Sequence, residues 1–291
     1  MGVANEPKVI AAVDLSEVSP AVAVTGARLA HRLGGGCLVV HVVEALSGEE
    51  DAGPLLPVLR RWVEGVRREA REGLARLLAD PALRGYAVRG QIAEGKGHSR
   101  ILEAARGPSV ALVVLGGPPP SRLLGSTAER VVRRSPVPVL VVRRPPSLGY
   151  TRVLVGVDFS DGAGRALEQA LALAEGGARI TACHVLDTLG HPPTEEVLRA
   201  AQGVEGRVRA WTEERTGTAV DVRVEPGRPR EVLLQAAKEV SADLLAVGGR
   251  GRGTLKQLLL GSVAEAAARR APCDVLVVPS PGGGERWEEA D

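Results

Sequence analysis

The chain repeats itself, and the repeat limits the folds open to it. KVIAAVDLS (8–16) returns as RVLVGVDFS (152–160), which aligns Asp14 with Asp158. CLVVHVVEA (37–45) matches TACHVLD (181–187), so His41 aligns with His184. VALVVLGG (110–117) matches ADLLAVGG (242–249), and LLGSTAERVVRRSPVPVLVV (123–142) matches LLGSVAEAAARRAPCDVLVV (259–278). Four matches in the same order define two copies of one unit. The boundary falls in RRPPSLGY (143–150), where paired prolines interrupt helix and strand alike.

Within each copy, short apolar β-branched runs alternate with longer stretches of helical period. In the second copy the pattern predicts strands near 152–157, 179–186, 220–225, 243–248 and 274–278. It predicts helices near 162–175, 194–215, 229–240 and 262–270. Strands apolar throughout are buried on both faces, which implies a parallel sheet with helices on each side. The expected fold is α/β: two tandem, open, doubly wound parallel-sheet domains of five strands each, Rossmann-like. The expected domains are 1–146 and 147–281, with a flexible acidic tail over 282–291. Sheets of this kind bind ligands beyond the carboxyl ends of their strands, where strand order reverses.

Composition fits a globular chain of two domains: 291 residues, 44% hydrophobic, 25% charged. A net charge of +2 argues against a nucleic-acid binder, and 2% aromatics leave little for base-stacking platforms. No run approaches the roughly 20 apolar residues that span a bilayer. The three cysteines form no CxxC pair, which disfavours disulfides or zinc and suits a reducing cytoplasm.

Chemistry is expected at three strand ends: the acid after strand one, the segment after strand two, and the loop after strand four. In the second copy that loop reads GGRGRGTLKQLLLGSVAE (248–265), a G-x2-G-x9-G-S pattern. Glycines let backbone amides approach an anion, and Ser262 opens a helix whose amides and dipole favour one. Arg250, Arg252 and Lys256 add positive charge. In the first copy Gly117 to Gly125 spans 8 positions where Gly249 to Gly261 spans 12, and PPPS (118–121) replaces the Gly/Arg segment. Proline offers an anion no N–H.

With this loop and the paired VDLS and VDFS segments, the chain resembles the universal stress protein family in its tandem form, from about residue 8 to 280. The resemblance implies an adenine nucleotide alpha hydrolase-like fold whose halves pair as a pseudo-dimer across 137–142 and 273–278. It implies ATP, with Mg²⁺, as ligand. Gly156, Val157 and Asp158 would line the adenosine side and Val185 would contact adenine. Val247, Gly248, Gly251, Gly261, Ser262 and Val263 would hold ribose and phosphates. The first copy's equivalents are Ala12, Val13, Asp14, Val42, Leu115, Gly116, Gly125, Ser126 and Thr127. The implied role is a cytoplasmic stress-response regulator acting through an unknown protein partner, and a homodimer of the whole chain stays open.

Plainer readings stand beside these. Ser262-x-x-Glu265 and Ser126-x-x-Glu129 also read as capping boxes. Asp158 also reads as a strand-end turn acid, His41 and His184 as packed core residues, and His98 and His191 as loop residues. GQIAEGKG (90–97) falls one residue short of a P-loop, with Gly97 where the Mg²⁺-ligating hydroxyl belongs and Gly90 inside a strand. Gly95, Gly97 and Gly227 read as turns after strand three. No G-x-S-x-G elbow or evident general base accompanies the glycine loop. A slow ATPase or nucleotidyl transferase, and a module that binds no nucleotide, remain the alternatives.

Overall fold

The computed structural model describes residues 6–44, 56–118, 124–143, 149–189, 191, 194–251 and 260–279. Arg252, Lys256, most of the PPPS segment and the tail lie outside them. The chain divides into two compact units, Met1–Gly116 and Gly117–Asp291.

Among the described residues, unit 1 holds four strands and three α-helices: β1 (Pro7–Val13), α1 (Ser19–Arg32), β2 (Gly36–Val43), α2 (Leu56–Leu78), β3 (Val88–Glu94), α3 (Gly97–Ala105) and β4 (Leu112–Gly116). The strand order is β3-β2-β1-β4, and every pairing is parallel. Pro20 starts α1 with its φ already set for a helix.

Unit 2 begins with α4 (Ser126–Arg134) and β5 (Val139–Val142), the end of the first repeat. The second repeat follows: β6 (Tyr150–Val157), α5 (Asp161–Leu173), β7 (Ala174–Asp187), α6 (Glu195–Thr216), β8 (Asp221–Gly227), α7 (Pro229–Glu239), β9 (Leu244–Gly248), α8 (Ser262–Arg270) and β10 (Asp274–Val278). The order is β5-β10-β9-β6-β7-β8. Among the described residues of this unit only the β5–β10 pairing is antiparallel, with Leu276 opposite Leu140. The last strands of the two repeats therefore pair, as the pseudo-dimer expectation requires. The repeat boundary near 143–150 and the division between compact units differ, because this pairing draws β5 into the unit of the second repeat.

Every residue of β5 and β10 is buried, so both faces of those strands are covered. In the second repeat α5 packs with α6 and α7 with α8. Two helices of the second repeat are capped by side chains. Ser160 caps α5 by accepting the Ala163 amide at 3.2 Å. Thr194 caps α6 and Gly217, at φ +62°, ends it in the left-handed conformation that glycine adopts without a Cβ clash. β7 starts earlier than its apolar run predicts, because Ala174 already pairs with Tyr150 where the sequence AEGGA reads as a helix end and a turn.

Buried carboxylates hold the entry to the second repeat. Asp274 accepts the Arg143 amide and the Tyr150 hydroxyl, each at 2.9 Å. Asp243 accepts the amides of Thr151 and Arg152 and the Thr151 hydroxyl, at 2.9 to 3.0 Å.

Candidate functional site

The crevice is visible in the strand register. β6 pairs with β9 from Val153↔Leu244 only to Val155↔Ala246. On their outer sides, β6 stays paired with β7 as far as Val157↔His184, and β9 with β10 as far as Gly248↔Val278. The carboxyl ends of β6 and β9 thus part at the point where strand order reverses. Gly156, Val157 and Asp158 form one lip; Val247 and Gly248 form the other. In unit 1 the β1–β4 pairing stops at Ala12↔Leu115, so Val13 and Asp14 pass beyond one lip and Gly116 beyond the other.

Asp158 divides its two oxygens. Oδ1 accepts the Ser160 amide at 3.0 Å and the Ser160 hydroxyl at 2.5 Å, which makes the strand-end turn. Oδ2 faces Gly251, where a Cβ would stand 2.6 Å away. The turn reading of this acid therefore holds, and its second oxygen is turned to the glycine loop. Asp14 repeats the device, with Oδ1 accepting the Ser16 amide at 3.0 Å and the Ser19 hydroxyl at 3.1 Å. Burial pushes the Asp14 carboxyl up, and the bonds from Ser16 and Ser19 outweigh it, leaving the group below its ordinary value. The residue after each acid is left-handed, Leu15 at φ +63° and Phe159 at φ +61°.

The glycine loop is closed at its base. Gly249 donates its amide to Val278 at 2.7 Å, and Gly261 donates to Gly249 at 2.7 Å. A Cβ on Gly261 would lie 3.2 Å from the Gly249 oxygen and 3.4 Å from the Arg250 Cα. Here the capping-box expectation fails. The N-caps of α8 and α4 are Gly261 and Gly125, and neither helix has a side-chain cap. Ser262 and Ser126 sit one residue too late, as the first helical residues and exposed, while Glu265 and Glu129 pair with Arg269. The leading amides of such a helix have no partner within it. Val263 and Thr127 follow, half-buried.

The histidines are also corrected. His184 and His41 are half-buried at strand ends instead of packed in the core. Each Nδ1 donates to the carbonyl just before the acid, His184 to Val157 at 2.7 Å and His41 to Val13 at 2.9 Å. Val185 and Val42 follow them, half-buried in their strands. His98 lies in the first turn of α3, not in a loop, and Gly97 opens that helix instead of forming a turn. Gly90 lies in β3, while Gly95 and Gly227 take positive φ as turns do. The nine residues assigned to the first repeat are split between the units: Gly125, Ser126 and Thr127 belong to unit 2 and the other six to unit 1. Among the described residues no group of three or more His, Cys, Asp or Glu is placed to hold a metal, and no helix is long and apolar enough to cross a membrane.

Sequence reasoning missed Ser16, Ser19 and Ser160, although the serine two residues after each acid was a legible signal. It also missed Phe159 and its neighbours on α6.

Tandem, mostly parallel doubly wound repeats with a glycine loop at the switch point define a class of α/β proteins. The family model of the universal stress protein family matches residues 7–143 and again 149–279. A universal stress protein of Mycolicibacterium smegmatis is 29% identical over 293 aligned positions, covering 94% of this chain and 98% of its own. One from Thermus aquaticus is 39% identical over 135 positions, which is 44% of this chain and 98% of its own. Among solved structures, a universal stress protein of Archaeoglobus fulgidus superposes with a TM-score of 0.63 at 24% identity, covering 93% of this chain and 97% of its own. The chain belongs to the universal stress protein family.

Proposed function

We propose that the crevice between the ends of β6 and β9 binds ATP, with Mg²⁺ carried on the phosphates, and that the protein is a cytoplasmic stress-response regulator without strong catalytic activity. The observation that carries this reading is the convergence of Asp158, Gly251 and the uncapped start of α8. The residues present fit the ligand. Gly251 and Gly261 bring backbone where a side chain would collide with Asp158 or with the loop base. The amides at the start of α8 suit a phosphate oxygen. The Asp158 carboxylate suits a hydroxyl donor such as a ribose. Val185, half-buried, offers apolar surface beside them, while the Val247 side chain is buried. Bound Mg²⁺ would neutralise phosphate charge. The chain's own part is to orient the nucleotide and favour one conformation over another toward an unknown protein partner.

The shorter, proline-bearing loop of the first repeat supplies fewer amides, so the second repeat is assigned the tighter site. Heat-released nucleotide and calorimetric titration test this. One equivalent of ATP per chain is expected. Two equal equivalents would overturn the assignment, and no binding at about 1 mM ATP would overturn the reading as a whole. Gly261→Val, which crowds the loop base, should abolish the second-repeat site. Absence of product after hours with excess ATP is the outcome expected of a regulator; steady turnover would favour the enzyme reading.

A further inference from the structure

The turn that carries Asp158 is gripped from outside by α6. Phe159 is the one phenylalanine of the chain, and it occupies a left-handed conformation that non-glycine residues keep only when their surroundings hold them there. Its ring is engaged from three directions. It tilts against His184 with centroids 4.9 Å apart, meets the Trp211 ring edge-on at 5.7 Å, and lies 5.5 Å under the Arg207 guanidinium. A ring so occupied is a clamp and not a platform for a base. Arg215 extends the grip. It stacks on Trp211 at 4.8 Å and bonds Asp161, the first residue of α5, at 3.1 Å. Contacts from α6 therefore fall on both sides of Ser160, which itself holds Asp158 Oδ1.

Among the described residues, the first repeat has the same strained turn with no aromatic ring packed on it. Leu15 stands at the corresponding position and reaches Gly73 of α2. Beside it lies an open cleft of about 350 Å³ lined by Leu15, Ser16, Ser19, Gly73, Arg76 and Leu77. The aromatic clamp is thus a property of the repeat whose phosphate loop is intact.

Building on the nucleotide reading above, we infer that Phe159 is a positioning residue for Asp158 and that its contact with Trp211 couples filling of the crevice to α6. The peptide between Asp158 and Phe159 is common to the clamp and the site. Fixing the ring fixes that peptide, and with it the direction of the carboxylate toward Gly251.

Trp211 makes the coupling measurable. Replacing Trp62 and Trp287 with Phe leaves it as the one indole. Its emission should change on addition of Mg·ATP and saturate along the calorimetric isotherm. Phe159→Leu, the residue of the first repeat, should weaken ATP binding about fivefold to tenfold, the scale of one lost aromatic pair, and remove the emission change. Phe159→Tyr should restore both. Trp211→Leu, placed on α6, should reproduce the loss of affinity should Phe159→Leu fail to fold. Parental affinity in both leucine variants, with Gly261→Val still abolishing binding, would overturn the positioning role and leave the nucleotide reading standing. A parent protein that binds no ATP would overturn both.

Discussion

A Cβ placed on Gly248 would stand 2.7 Å from the carbonyl carbon of Gly162 and 3.0 Å from the amide nitrogen of Ala163. The end of β9 and the first turn of α5 therefore meet backbone to backbone at the crevice. Neither side can turn away as a side chain could. Gly248→Ala should destabilise unit 2 by about 1–3 kcal/mol, the usual cost of overpacking. Chemical denaturation should show a lower midpoint at unchanged slope. A variant as stable as the parent would show that this approach tolerates a methyl group.

Gly251 poses the opposite case. The atom that a Cβ would meet is Asp158 Oδ2, the movable end of a side chain, at 2.6 Å. Gly251→Ala should cost less than about 1 kcal/mol of stability, because the carboxylate can swing aside. It should still weaken ATP about tenfold, because the carboxylate that swings is the one assigned to the ligand. Calorimetry beside thermal denaturation separates the two effects. Parental affinity would remove Gly251 from the site.

The buried pair at the entry to the second repeat makes a third test. Tyr150 is 1% exposed, and its hydroxyl donates to the buried Asp274 carboxylate, as the Arg143 amide does. Tyr150→Phe deletes that donor from a buried carboxylate. The expected loss is about 1–3 kcal/mol in urea denaturation. A neutral result would mean that another donor takes over.

The fold was legible because a fully buried parallel strand must be apolar along its whole length, and four such runs recur in the same order in both copies. Asp158, Gly248 and Gly251 were legible for a related reason: the switch point of a doubly wound sheet fixes where to look. The cap of α8 was not, since Ser262-x-x-Glu265 satisfies the capping-box pattern while the chain enters the helix through Gly261. His184 was misplaced because its apolar neighbours hide the carbonyl it bonds. Phe159 and Trp211 lie far apart in sequence, and no period in either segment links a turn residue to a helix outside the sheet. The early start of β7 was obscured because Ala174 and Glu175 are good helix residues, and only the pairing with Tyr150 makes them a strand.

Acid should open the turn at Asp14 late. The carboxyl is held below its ordinary value of 3.8 by the bonds from Ser16 and Ser19, against the upward push of burial. A depressed folded value stabilises the protein above the unfolded value, and that contribution is lost as pH falls through the folded one. The window therefore lies below about pH 4. Ser16→Ala removes the hydroxyl bond that favours the charged form and keeps the amide one, so the Asp14 carboxyl should titrate at higher pH. Carboxyl carbon NMR would follow it. An unchanged titration would show that Ser16 does not hold the charge.

The thiols offer a probe of how tightly the core is closed. Cys37, Cys183 and Cys273 are free and buried, at 2%, 0% and 0% exposure. Burial pushes the thiols of Cys37 and Cys183 up to about 12. At pH 8 only about one such thiol in ten thousand would be ionised, and the thiolate is the reactive form. A thiol reagent should therefore leave the native protein unlabelled over minutes and take up all three equivalents on denaturation. Because Cys183 sits in β7 opposite Gly156, at the lip of the crevice, its slow labelling also reports local opening of that strand pair. Saturating ATP should slow labelling of Cys183 more than that of Cys37, read by mass spectrometry of the labelled peptides. Equal protection of the two, or none, would place the stabilising effect of the ligand away from β6 and β7.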